Sequence, residues 1–243
     1  MTPERFDRFD LSQPALGMTE DPLGQIERSW HANARAWTEA VREGRIASRR
    51  LATDEAIVEA VRAHAPRRVL DLGCGEGWLS RALAARGVEA VGVDASAPLV
   101  EAARRAGGGT FHVCGYAGLA EAGPVRFGGA FDVVAANFAL LGDPLDDALA
   151  GARGLLAAWG VLVIQTVHPW TARGDEGYRD GWRVERFAGF GDGVAEPMPW
   201  FFRTLQSWFA TLARAGFRVD DVREPAHPDT GEPLSLILVA RPF

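Results

Sequence analysis

The stretch VLDLGCGEGWLSRALAARG, Val69 to Gly87, limits what this chain can fold into more than any other. Val69 to Leu72 form a short apolar run broken only by Asp71, the pattern of a buried strand. Gly73, Gly75 and Gly77 then fall at every second position, where the chain must turn tightly and present bare N–H groups. Trp78, Leu79, Ala82, Leu83 and Ala85 follow at helical spacing. Strand, glycine turn and helix open a βαβ unit, and a second strand, Glu89 to Val93, runs into Asp94. An open α/β sheet started this way takes its ligand at the carboxyl ends of its strands.

The ligand can be narrowed from the same residues. A carboxylate at the end of the second strand can accept both hydroxyl hydrogens of a ribose, which is the expected work of Asp94. A dinucleotide fingerprint needs a third glycine where this chain has Trp78, and a P-loop needs a lysine that is not there. The D-x-G-x-G-x-G pattern, followed by an acid-ended strand, resembles motif I of the class I S-adenosylmethionine-dependent methyltransferases, over residues 65–243 in element order. The resemblance implies a Rossmann-like, doubly wound α/β sheet of seven strands, mostly parallel with an antiparallel late strand. It also implies S-adenosyl-L-methionine as cofactor and S-adenosyl-L-homocysteine as product. Asp71, Gly73, Cys74, Gly75, Gly77, Asp94 and Ala95 become cofactor residues, Asp71 supporting the methionyl amino group or its turn. Cys74 on its own reads as a small apolar filler. Asn137 and Phe138, after the strand Phe131 to Ala136, would line the methyl side. A DNA amino-methyltransferase would carry Asn/Asp-Pro-Pro-Tyr/Phe here instead of Asn137 to Leu140. In the family an acid after the third strand, here Thr110 to Val113, often holds the adenine amino group. The loop from Cys114 to Leu119 has none, so Gly115 and Tyr116 are the candidates there, by backbone or ring.

Residues 1–64 read as an N-terminal arm and helical lid, and residues 65–243 as the main domain. The arm, Met1 to Gly24, carries Pro3, Pro14 and Pro22. Ile26, Trp30, Ala34, Trp37 and Val41 predict one amphipathic helix. By resemblance it closes over the cofactor, with Trp37 toward the substrate. Four arginines fall between Val41 and Arg50, and Arg49 is the candidate to grip a carboxylate through its bidentate fork. Thr53 predicts an N-cap for a helix running to about His64.

Residues 168–202 interrupt the alternation of strands and helices and hold eight of the chain's 23 aromatics. Charges are interleaved, which suits a cap over a small organic molecule. Trp170, Tyr178 and Trp182 are its candidate substrate residues, and Trp182 to Phe190 predicts a short hairpin. His168, just past the strand Val161 to Thr166, is the candidate general base, because an imidazole can take a proton near neutral pH. A histidine before proline at a strand end can also simply cap the turn. Pro144 to Ala157 reads as a helix, as does the segment from Phe201 to Leu212. Phe217 to Val222 and Leu234 to Ala240 read as the last strands.

A net charge of -6, from 26 basic and 32 acidic residues, disfavours a nucleic-acid backbone as main partner. No pattern with metal spacing occurs, the two cysteines suggest no disulfide framework, and no long apolar run marks a membrane span or signal peptide, so the expected residence is the cytoplasm. The reading is metal-independent methyl transfer to an oxygen or nitrogen of a small molecule, in a group like the ubiquinone- and menaquinone-pathway enzymes. A nicotinamide-dependent oxidoreductase, a non-catalytic cofactor-binding module, and a protein or RNA methyltransferase are the alternatives. Substrate identity and oligomeric state are not legible.

Overall fold

The computed structural model describes residues 21–187 and 196–243. Seven strands form one sheet: β1 (Arg68–Leu72), β2 (Glu89–Asp94), β3 (Thr110–Val113), β4 (Phe131–Asn137), β5 (Leu156–Val167), β8 (Phe217–Arg223) and β9 (Ser235–Pro242). Their order is β3-β2-β1-β4-β5-β9-β8. β1 pairs parallel with both β2 and β4, while β9 runs antiparallel to β5 and to β8. The chain leaves β1 toward β2 and β3, then returns to the other side of β1 as β4. That reversal opens a crevice at the carboxyl ends of β1 and β4, where this architecture binds its ligands. The seven-stranded, mostly parallel sheet matches the expected fold class.

The sheet is covered on both faces. On one, α3 (Asp54–Arg62) and α4 (Trp78–Ala84) put Ile57, Val58, Val61, Leu79 and Leu83 on Val69, Val133, Val163 and Ile237. On the other, Leu70, Val134, Leu162 and Leu238 meet Leu149 and Leu155 of α7 (Asp146–Leu155) and Trp208 and Leu212 of α8 (Leu205–Arg214). Central strands buried on both faces read as continuous apolar runs, which is why Val69–Leu72 and Val161–Ile164 do not alternate.

Several expected boundaries shift. The predicted lid helix is two, α1 (Pro22–Ala32) and α2 (Ala34–Arg42), broken at Asn33. The Asn33 amide bonds Ser29 Oγ and the carbonyl of Glu196, a tertiary partner that periodicity cannot show. Thr53 is not an N-cap: its backbone is helical, and it ends a π-helical turn, Arg49–Thr53, that runs directly into α3. The helix predicted from Pro144 to Ala157 ends at Leu155, and β5 begins at Leu156. Phe201 lies in a strand, β7 (Met198–Phe202), and α8 starts after Thr204, whose hydroxyl accepts from Ser207 N–H. β7 pairs antiparallel with β6 (Gly181–Glu185), so the partner of Trp182 is Phe201, not a residue near Phe190. Phe190 and the arm residues 1–20 lie outside the described residues.

Candidate active site

Gly73, Gly75 and Gly77 all have positive φ, at 72°, 54° and 83°. Two are also crowded. A Cβ on Gly73 would stand 2.4 Å from Ala139 Cβ, and one on Gly77 would stand 2.9 Å from the Phe111 ring. Only a residue without a side chain fits both the backbone and the space. Gly75 differs: its open side meets only the Trp37 indole, 3.6 Å from where a Cβ would be. This cradle lies between glycine turn and lid, and Trp37 of α2 forms its far wall.

The Asp71 carboxylate is buried and accepts from the Ser80 N–H at 3.1 Å and the Ser80 hydroxyl at 2.8 Å. It holds β1 to the first turn of α4 through Oδ2. Burial pushes its carboxyl up to about 6 against the pull of those hydrogen bonds. Cys74 follows Gly73 in the turn. Its thiol lies in a core with Val100, Ala103 and Phe111, its N–H bonds Val93 and its carbonyl bonds Gly77. Every polar group of its backbone is used inside the turn. Burial raises its thiol well above the ordinary value.

Asp94 ends β2 and accepts from Gly75 N–H at 2.9 Å and Ser96 N–H at 2.8 Å. A carboxylate has about four lone-pair positions, so acceptor capacity remains for a pair of hydroxyls. Burial, together with the charge of Glu27, raises its pKa, and the two N–H donors oppose the rise. Ala95 is exposed beside it, and the open side of Gly115 faces the Ala95 methyl at 3.9 Å. Tyr116 opens α6 (Tyr116–Ala122) and donates its hydroxyl to Ala139 O at 2.7 Å; burial raises its pKa strongly. Ala139 in turn packs against Gly73, so the ends of β1, β3 and β4 converge.

The β4 end is itself constrained. Phe138 has φ 51°, a left-handed backbone that costs a residue with a side chain about 1–2 kcal/mol. Its N–H donates to Gln165 O at 2.7 Å. Such strain persists where surroundings impose it, commonly at ligand sites. Asn137 Oδ1 accepts from Gln165 Nε2, which also donates to Thr53 O. Gln165 thereby ties the π-helical turn to the ends of β4 and β5. That turn presents Arg49, whose Nε donates to Asp54 and whose guanidinium lies 4.4 Å over the Trp78 ring. Trp78 is thus the platform for Arg49, and among the described residues the remaining guanidinium nitrogens of Arg49 have no hydrogen-bond acceptor. They are the free half of a fork suited to a carboxylate.

His168 is placed differently from its expected role. Its Nε2 lies 2.8 Å from Glu224, and its Nδ1 accepts from Trp170 N–H. With Nδ1 accepting, Nε2 carries the proton and donates to the carboxylate, leaving no lone pair for a substrate proton. The ring caps the turn after β5. Trp170 and Tyr178 are exposed, Trp170 under the Arg173 guanidinium and Tyr178 accepting from Leu205 N–H through its hydroxyl. Trp182 packs edge-on to Phe201 at 5.4 Å. Two of these three are exposed and the third lies on the β6–β7 ribbon. The inward face of the cap is instead Phe187, Met198, Trp200 and Phe202, packed with Ile26 and Trp30 of the lid. Trp30 stands edge-on to Trp37 at 5.0 Å and to Phe187 at 5.8 Å, linking the cap to the wall over Gly75.

Sequence reasoning also missed Glu76. It is fully buried in the glycine turn, paired with Arg42 of the lid at 2.8 Å and with Arg81 of α4 at 2.6 Å. An acid between two turn glycines was a visible signal that a cation must meet it, but not which one.

Residues 69–160 match the family model described as a methyltransferase domain. An uncharacterized methyltransferase of Schizosaccharomyces pombe is 28% identical over 180 residues, covering 71% of this chain and 67% of that protein. An S-adenosylmethionine dependent methyltransferase from Mesorhizobium loti superposes with a TM-score of 0.57 at 25% identity, over 77% of this chain and 99% of that one. The Burkholderia thailandensis 1,6-didemethyltoxoflavin-N1-methyltransferase, solved with 1,6-didemethyltoxoflavin and S-adenosylhomocysteine bound, gives 0.62 at 21% identity, over 95% and 93% of the two chains.

Proposed function

We propose that this chain, whose residues 69–160 match a methyltransferase-domain model, is an S-adenosylmethionine-dependent methyltransferase that methylates an oxygen or nitrogen of a small organic molecule, in the cytoplasm and without a metal ion. The observation that carries the small-molecule part is the shared core of lid and cap. Ile26 and Trp30 from one end of the chain pack with Phe187, Met198 and Trp200 from the other, beside the Trp37 wall over Gly75. An aromatic roof tied to the glycine turn suits a compact, partly apolar acceptor rather than an extended polymer. The Burkholderia enzyme, similar along nearly the whole chain, was solved with 1,6-didemethyltoxoflavin bound, which supports the same class.

The residues present fit the cofactor. Gly75 and Gly115 leave open sides, Asp94 keeps acceptor capacity for the ribose hydroxyls, and Arg49 has free donors for the methionyl carboxylate. When bound, the cofactor supplies a methyl group already activated on a sulfonium. The chain then has to orient the acceptor, exclude water and let one proton leave. Asn137 and Phe138 set the position of the methyl side through the fixed end of β4. Trp37 and the lid-cap core shield it. Since His168 is engaged at both nitrogens, the proton leaves from an acceptor that is acidic enough, or through solvent, without an imidazole base.

Calorimetric titration with S-adenosylhomocysteine, run beside NAD, tests the reading. Micromolar binding of S-adenosylhomocysteine alone is expected, followed by turnover in a screen of hydroxylated and amino-bearing metabolites. Binding of NAD alone would overturn it, and turnover confined to protein or RNA would overturn the small-molecule part.

A further inference from the structure

The loop from Cys114 to Leu119 has no acid, yet a carboxylate reaches that place from elsewhere. Glu27 of lid helix α1 puts Oε1 3.7 Å from the point where a Gly115 Cβ would stand, on the side that faces the Ala95 methyl. Any side chain at 115 would narrow this gap. Among the described residues Glu27 makes no hydrogen bond or ion pair, although Arg28 beside it pairs with Asp21. It is therefore an exposed acceptor with no internal partner, at the ends of β2 and β3, next to the acid assigned to the ribose. Its charge is felt there, since it raises the pKa of both Asp94 and Tyr116.

We propose that Glu27 accepts a hydrogen bond from the exocyclic amino group of the bound purine, so that the lid helix, not the loop after β3, reads the cofactor's base. The assignment rests on the methyl-donor reading of the site. A carboxylate only accepts, and the adenine amino group is a donor, so the two are complementary. A 6-oxo purine presents a second acceptor at the same place and meets the carboxylate unfavourably. Base recognition and lid closure then become one event, because the acceptor arrives only with α1.

The test is calorimetry on the full chain with two ligands, S-adenosylhomocysteine and its 6-oxo analogue S-inosylhomocysteine. Wild type should prefer S-adenosylhomocysteine by about tenfold or more, the scale of a charge-assisted hydrogen bond. In Glu27→Ala the affinity for S-adenosylhomocysteine should fall by about tenfold and the preference should collapse. In Glu27→Gln the amide can turn to accept or donate, so the two ligands should bind within a few-fold of each other. A Glu27 that only supports the lid would weaken both ligands alike and keep their ratio, and that outcome overturns the proposal. Binding of S-adenosylhomocysteine with wild-type affinity and selectivity in both variants also overturns it while leaving the methyl-donor reading standing. Failure of wild type to bind S-adenosylhomocysteine overturns both.

Discussion

Asp71 is ionised at neutral pH inside a core that disfavours its charge. Its carboxyl sits at about 6 in the fold, above the ordinary value near 4 of an unfolded chain. A carboxyl raised on folding binds its proton more tightly in the native state. Its contribution to stability is therefore most favourable below about pH 4, declines between about 4 and 6, and is level above. Keeping the charge buried at pH 7 costs about 3 kcal/mol, from the conversion of pKa difference to free energy. Asp71→Asn keeps an acceptor for Ser80 and removes the charge. Urea unfolding of both proteins from pH 4 to 7 should show the variant gaining on wild type by about that amount across the window. A difference that stays constant with pH would refute the cost assigned to the buried charge. At this scale the sequence was informative about identity and poor about partners. The three glycines, Asp71 and Asp94 could be read because each is forced by turn geometry or strand position. Trp78 was read only as an obstacle to a pyrophosphate, since nothing local shows that Arg49 lies on it. Arg49 stands out by its fork chemistry alone, whereas nothing local shows the cations that meet Glu76, or that Glu224, just past the end of β8, meets His168.

Arg42 ties lid helix α2 to the glycine turn. Arg42 reaches Glu76 through Nε and the Ala102 carbonyl through a terminal nitrogen. Arg42→Ala leaves Glu76 paired with Arg81, so global stability should fall by only about 1 kcal/mol. The local effect should be larger. With its tie gone, α2 opens more often, and stopped-flow fluorescence should show S-adenosylhomocysteine leaving several-fold faster. An unchanged dissociation rate would mean that α2 does not gate the site. Helices were predicted here by spacing alone, which gave their existence and apolar face but not the break at Asn33 or the π-helical turn before α3. Both irregularities are set by tertiary hydrogen bonds, from Glu196 and from Gln165, and such partners leave no periodic trace.

Across the whole molecule the apolar interior divides. Two large cores flank the sheet, a small one supports the glycine turn, and a separate one joins lid to cap. The antiparallel late strand came only from the family resemblance, while the α/β class was legible because an acid-ended βαβ start followed by alternating elements leaves few topologies. The lid-cap core was not, since its residues are distant in sequence and only three-dimensional closure makes them neighbours. Hydrogen exchange should reveal the division. Adding S-adenosylhomocysteine should raise protection of residues 22–42, 181–187 and 198–202 together, while β1, β4 and β5 change little. Protection rising in the lid alone would show that cap and lid move independently.

The division has an evolutionary corollary. None of the side chains that hold lid to cap also belongs to a core of the sheet. Substitutions at distant, independent sites combine nearly additively. Drift in Trp30, Phe187, Met198 or Trp200 can therefore reshape the lid-cap core while the two cores of the sheet keep their stability, so that under the proposed function the acceptor could change while the chemistry is inherited.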